Sequence, residues 1–261
     1  MHFPFVPIDK WREKVQQEIR NDQLDPFLWR EQIEGLVVKA LYTDQDLGGS
    51  PLPMNMRQKS RWKRCQLYQH SSLEQVHRDI QADIQGGCDA LWLRMDRGIR
   101  KEGKLSGQGI PLWGLPAWEK LLGKHPIEKL SFQLDSGVNS YCVAATFVAY
   151  LRQHKLDPHS MMINWGADPI GNLARDGRFP RGSKLAFAEA SRLLSWSSKG
   201  KTSVFCFSSQ PYHMAGADLQ TELALLLASM ADTFRQLVSL QCSPKAIASK
   251  MMLSIPIDRN I

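Results

Sequence analysis

Between residues 62 and 95 the chain reads Trp62-Lys-Arg-Cys-Gln-Leu-Tyr68, then Ser71-Ser-Leu-Glu-Gln-Val-His-Arg-Asp-Ile-Gln-Ala-Asp-Ile-Gln-Gly-Gly87, then Ala90-Leu-Trp-Leu-Arg-Met95. The outer pieces are short apolar or alternating runs, the pattern of strands. The middle piece repeats apolar side chains at Leu73, Val76, Ile80 and Ile84, one face of a helix, and Gly86-Gly87 ends it. Ser71-x-x-Glu74 reads as a capping box at its start, the Ser oxygen taking a free amide of the first turn while the carboxylate returns to the cap amide. A single helix between two strands demands a crossover, and therefore a parallel pair.

Working outward, the same unit recurs. Leu130-Ser-Phe-Gln-Leu134, Met161-Met-Ile-Asn-Trp165, Ser203-Val-Phe-Cys-Phe207 and Met251-Met-Leu-Ser-Ile255 bring the candidate strands to six. The stretch from Tyr141 to Leu151 is apolar nearly all round, which predicts a deeply buried helix stopped by Asp157-Pro158. The longest predicted helix carries Leu219, Leu223, Leu226, Leu227, Met230, Phe234 and Leu237 on one side. The fold class is α/β with a parallel sheet. Two architectures fit it, a doubly wound open sheet and a (β/α)8 barrel. Neither Gly-x-Gly-x-x-Gly nor Gly-x-x-x-x-Gly-Lys-Ser/Thr occurs, which favours the barrel. Six strands leave a barrel of this kind two short of closure, so an incomplete (β/α)8 barrel is expected.

The first 50 residues differ from the rest. Trp11, Val15 and Ile19 recur at helical spacing, Asp25-Pro26 closes that helix, and Glu34 to Thr43 reads as extended before the breakers Gly48-Gly-Ser-Pro51 and Pro53. Residues 1–50 are expected to form a helix and extended arm, with Trp11, Phe27, Leu28 and Trp29 exposed unless they pack on the chain's own barrel or on a partner subunit; residues 51–261 form the partial barrel.

A length of 261 residues with 43% hydrophobic and 23% charged side chains excludes disorder and fibrous repeats. No run approaches the roughly 20 apolar residues of a membrane helix. Met1-His-Phe-Pro-Phe-Val-Pro7 is too short and proline-broken for a signal peptide, so a cytoplasmic location, away from membranes, is expected. Cys65, Cys88, Cys142, Cys206 and Cys242 contain no C-x-x-C pair and read as small buried hydrophobes. The net charge of +7 is densest at Arg57-Gln-Lys-Ser-Arg61-Trp-Lys-Arg64, with a second run from Arg94 to Lys104. No helix-turn-helix, zinc-finger or RNP pattern accompanies these runs, so a phosphate-bearing ligand or a solvated face is expected rather than nucleic acid.

Parallel α/β folds bind ligands at the carboxyl ends of their strands. That rule selects Gln69-His70, Arg94 with Asp96, Asp135-Ser-Gly137, Gly166-Ala-Asp-Pro-Ile-Gly171 and Ser208-Ser-Gln-Pro-Tyr212-His213. Asp135 reads as a general base or, more simply, as a turn or cap residue. His213 beside Tyr212 stands where it could donate a proton to a carbonyl. His154, Asp157 and His159 cluster, but Pro158 breaks the helix that would align them as metal ligands. Gly-x-Ser-x-Gly is missing, and no cysteine has a local histidine partner.

Several of these segments resemble the methylmalonyl-CoA mutase family. Ile33-Glu-Gly-Leu-Val-Val-Lys-Ala-Leu-Tyr-Thr-Asp-Gln-Asp46 is similar to the family's "eG…v.plYt..D" segment, and Trp11 to Glu18 to the helix before it. Gly166 to Gly177 resembles the corresponding segment of the small, non-catalytic subunit of the heterodimeric enzymes. Tyr212-His-Met-Ala-Gly-Ala-Asp-Leu-Gln-Thr-Glu-Leu-Ala224 is similar to the "yH.aGa…qELa" strand-to-helix turn, matching Tyr212 and His213 to the catalytic positions.

The resemblance implies an acyl-CoA-binding barrel working with adenosylcobalamin on a carbon-skeleton rearrangement, with Arg57, Arg61 and Arg64 suited to CoA phosphates. The departures are as informative. Ala167-Asp168-Pro169-Ile170-Gly171 stands where catalytic subunits carry "TIQND" and a following Arg. Pro53 to Ser60 replaces the "YATMY" stretch, and the turn after His213 is two residues short. The cobalt-ligating D-x-H-x-x-G is matched only by Asp157-Pro-His-Ser-Met-Met162, which ends in Met and precedes a strand.

A non-catalytic subunit is therefore expected, meeting adenosylcobalamin only through a catalytic, cobalamin-binding partner chain. Two other readings stay open: a stand-alone acyl-CoA-binding module, and a fragment of a longer mutase subunit. The sixth candidate strand leaves an exposed edge, which predicts association.

Overall fold

The computed structural model describes residues 6–19, 29–32, 36–39, 41–43, 46, 62–123 and 125–257. The chain divides into two compact units, Met1–Arg61 and Trp62–Ile261.

In the first unit α1 (Ile8–Ile19) is the expected amphipathic helix, with Trp11 half-buried. The predicted extended piece holds β2 (Leu36–Lys39), which pairs antiparallel with β1 (Trp29–Gln32), Trp29 opposite Lys39 and Gln32 opposite Leu36. The sequence reading missed this hairpin, because its first strand, Trp-Arg-Glu-Gln, is mostly polar and carries no alternation. Asp25-Pro26 and the breakers from Gly48 to Pro53 lie outside the described residues, as do Phe27, Leu28 and the side chain of Trp29.

The second unit is a parallel six-stranded sheet in sequential order: β3 (Cys65–Tyr68), β4 (Ala90–Arg94), β5 (Ser131–Asp135), β6 (Met162–Ala167), β7 (Ser203–Ser208) and β8 (Met251–Ser254). Each strand adds on the same side of the one before. With right-handed crossovers throughout, that order places every connecting helix on one face, as in a (β/α)8 barrel, whereas a doubly wound sheet reverses its order. The fold is α/β with the architecture of a partial (β/α)8 barrel, and β3 and β8 are its edges.

Alternation along the strands divides core from site. Leu91, Leu93, Phe132 and Leu134 are buried beneath the helices, each contributing about 1.5–3 kcal/mol through burial. Against them pack α2 (Leu73–Gln85), α4 (Leu115–Leu122) and α5 (Ser140–Gln153), which bring Ile80, Trp118 and Phe147. Between β4 and α4 runs the short α3 (Arg97–Lys101).

Three local expectations change. The cap of α2 is Ser72, not Ser71: its hydroxyl accepts from Gln75 N at 3.3 Å, and Glu74 takes the Ser72 hydroxyl and a salt bridge to Lys120 in place of the cap amide. In α5 only Val143, Ala144, Phe147, Val148, Tyr150 and Leu151 are buried, and the small residues Cys142, Ala145 and Ala149 face out. The long helix α9 (Leu219–Ser239) buries Glu222, Leu226, Ser229, Thr233 and Leu237, so its buried stripe is displaced from the leucine stripe and Leu219, Leu223 and Leu227 stand exposed.

Candidate functional site

At the carboxyl ends of the strands lies a cavity of about 530 Å³. Its walls come from the face of the sheet opposite the helices. Trp92 pairs in register with Gln133, and Arg94 with Asp135, so each pair stands side by side on that face. The Arg94 guanidinium lies 5.6 Å from the centre of the Trp92 ring and donates from Nε to Asp135 Oδ2 at 2.8 Å. The other oxygen, Oδ1, lies 3.7 Å from Arg175 Nη1 on α6 (Pro169–Asp176). Asp135 is thus neither a helix cap nor a base poised over a vacant space. It bridges two arginines.

Arg100 on α3 also lines the cavity, its Nε–H donating to the Met95 carbonyl at 3.0 Å. Burial pulls its pKa below the ordinary arginine value; Asp135 opposes this, and Arg175 and Arg94 reinforce it. Trp92 Nε1 and Gln133 Oε1 are buried atoms in the same wall without a hydrogen-bond partner.

The next wall depends on a backbone irregularity. The register between β6 and β7 shifts between Asn164 and Ala167, and Gly166 sits there at φ +67 with its N–H bonded to Asn164 Oδ1 at 2.8 Å. A Cβ at this position would lie 1.8 Å from the Leu134 carbonyl oxygen, so only glycine fits the bulge. The bulge delivers Asp168 to the cavity as the N-cap of α6, accepting from Gly171 N at 2.9 Å and from Ser208 N at 3.3 Å, with Pro169 opening the helix. Burial pushes its pKa up to about 6, against the lowering effect of those two amides and of Arg175. Cys206, also in the wall, is pushed up to about 12 by burial and by the nearby carboxylates, so its thiol is protonated and inert at neutral pH.

After α6 the chain runs through α7 (Ser183–Trp196) into β7, and the segment beyond begins with α8 (Gln210–Met214). His213 Nδ1 lies 3.0 Å from Glu222 Oε2, and Ser209 donates its hydroxyl to Glu222 Oε1 at 2.5 Å. Glu222 is only 5% exposed, so this carboxylate is a buried post on α9 that fixes the imidazole's orientation. Burial raises the pKa of the Tyr212 phenol, with Ser229 of α9 acting against the rise. His213 is tied to α9, and Pro211, Met214 and Ala215 beside it line the cavity. The structure brings Arg94 and Asp135 together, and Tyr212 and His213 are not among the residues that line the cavity.

Arg57 and Arg61 lie outside the described residues. Arg64 is exposed and precedes β3, with its N–H on Asp89 Oδ1 at 2.6 Å just ahead of β4, and so stands at the amino ends of the strands, opposite the cavity. Asp96 is structural: it caps α3 by accepting from Gly98 N at 2.7 Å.

A family model described as methylmalonyl-CoA mutase matches residues 31–261. The chain belongs to this family. No curated protein matches it. The mutase family is associated with adenosylcobalamin, and the one described segment that comes near a cobalt-ligating motif, Asp157 to Met162, does not fit that cofactor. His159, the nearest counterpart of a cobalt-ligating histidine, has Nδ1 at 3.1 Å from the Lys199 carbonyl oxygen, packs its ring 4.8 Å from that of Trp196, and precedes β6 on the side away from the cavity. His154 bonds instead to Glu119 at 2.7 Å, and Asp157 to the His159 amide at 3.0 Å. Among the described residues no three His, Cys, Asp or Glu side chains are grouped to hold a metal ion, and no helix is long and apolar enough to cross a membrane.

Proposed function

We propose that this chain is a non-catalytic member of the methylmalonyl-CoA mutase family, comparable to the small subunit, which supports an adenosylcobalamin-dependent acyl-CoA isomerase supplied by a partner. The observation that carries the reading is the state of the cavity wall. The histidine that matches the family's catalytic position is bonded to Glu222 and is not among the residues that line the cavity, while an Arg94–Asp135–Arg175 network stands in its wall. Adenosylcobalamin belongs to this proposal only through the partner.

Co-expression with a cobalamin-binding mutase chain tests it. The two are expected to elute together in size exclusion at micromolar concentration. Separate elution contradicts the subunit role.

A second reading, a stand-alone acyl-CoA-binding module, is favoured by the unpartnered Trp92 Nε1 and Gln133 Oε1, a donor and an acceptor of the kind an amide-containing thioester arm satisfies. Calorimetric titration of the lone chain with CoA thioesters separates the two: saturable binding supports the module, and no heat supports a scaffold.

A further inference from the structure

Both oxygens of the Asp135 carboxylate face guanidiniums, Oδ2 that of Arg94 at 2.8 Å and Oδ1 that of Arg175 at 3.7 Å. The three side chains are 16%, 21% and 30% exposed, so water and salt screen them only partly. This is the arrangement by which a protein holds a bound carboxylate between two arginines. Here the carboxylate belongs to the chain. Arg175 also meets Asp176, Nε to Oδ1 at 3.5 Å, but that acid is paired with Lys101 at 2.6 Å; Arg100, in the same wall, makes no ion pair with any described acid, so three guanidiniums remain against the one Asp135 carboxylate. Asp168 does not redress the balance, because its oxygens are committed to the Gly171 and Ser208 amides.

We propose that Asp135 is a built-in occupant of a carboxylate site at the mouth of the sheet: it uses the contacts that a carboxylate-bearing ligand would need, so the cavity selects against such ligands and admits uncharged acyl groups. The inference goes beyond the subunit reading and stands on side-chain geometry alone. A ligand carboxylate entering the cavity meets a fixed negative charge and finds Arg94 and Arg175 engaged. Removing Asp135 leaves Arg94, Arg100 and Arg175 facing the cavity with no carboxylate between Arg94 and Arg175, and the site then requires an external anion.

The test uses free malonate, so that a failure of CoA binding leaves its outcome readable. Asp135→Ala and the isosteric Asp135→Asn are titrated with malonate against chloride at matched ionic strength, beside the unmodified chain and the double variant Arg94→Gln/Asp135→Ala. Both single variants are expected to bind malonate at least tenfold more tightly than the unmodified chain, with a saturable rise in Tm, and the double variant is expected to lose most of that gain. If a single variant is unfolded without ligand, recovery of its far-UV circular dichroism in malonate but not in chloride supports the inference, and no recovery overturns it. Malonate binding by the unmodified chain as tight as that of the variants, or folded variants indifferent to malonate, also overturns it.

Discussion

Glu222 on α9 reaches back to the segment after β7 and holds two of its residues at once, Ser209 through a 2.5 Å hydrogen bond and His213 through a 3.0 Å contact to Nδ1. A carboxylate this deeply buried persists only because both oxygens are used. Glu222→Ala leaves the Ser209 hydroxyl and the imidazole nitrogen without this partner, and a loss of about 1–3 kcal/mol is expected in urea denaturation. Glu222→Gln, which keeps an acceptor for Ser209, is expected to lose less. Equal stability of Glu222→Ala and the unmodified chain would show that the contact does not anchor the turn.

Asp168 gives stability an unusual dependence on pH. Its pKa is raised by burial to about 6 in the folded chain, above the value of 3.8 for the exposed group, so the folded state takes up the proton first. The stabilisation is fully present below about pH 4 and is lost as the pH rises through about 6, amounting to roughly 1–3 kcal/mol. Asp168→Asn cannot titrate. The difference in stability between the unmodified chain and this variant, read from urea midpoints, should therefore shift against the unmodified chain between pH 4.5 and pH 7.5. A difference that is flat with pH would contradict the assignment.

Much of this fold was legible because strand and helix periods were clean. All six strands of the sheet stand where apolar runs were read, within a few residues, and the helix between β3 and β4 follows from Leu73, Val76, Ile80 and Ile84. The β1–β2 hairpin was not legible, since its first strand is Trp-Arg-Glu-Gln. Nor was the orientation of α9: apolar periodicity pointed to Leu219, Leu223 and Leu227, but Glu222 is drawn inward by Ser209 and His213, a polar attraction that a hydrophobic pattern does not record.

The site was legible in part. The rule placing ligands at strand ends picked out Arg94, Asp135 and Asp168, but only the register of β4 against β5 shows that the first two are paired. Trp92 and Gln133 were missed. Their signal was present, since each is the residue between two buried apolar neighbours in its strand and so faces away from the helices.

The bulge at Gly166 should be the most sensitive single position in the sheet. Gly166→Ala sets a methyl group against the Leu134 carbonyl and imposes φ +67 on a residue that rarely adopts it. A cost on the order of 3 kcal/mol or more is expected, enough to reduce soluble yield sharply and lower Tm by several degrees. Alanine tolerated without loss would mean that the register shift between β6 and β7 relaxes at little cost.

The central claim, that this mutase-family chain does not catalyse the rearrangement by itself, is tested most directly by turnover. The purified chain is supplied with adenosylcobalamin and, in separate reactions, with methylmalonyl-CoA and with an uncharged branched acyl-CoA such as isobutyryl-CoA, and the thioesters are separated by chromatography over time. No rearranged acyl-CoA above the protein-free blank is the expected result. Isomerisation by the chain alone would contradict the account.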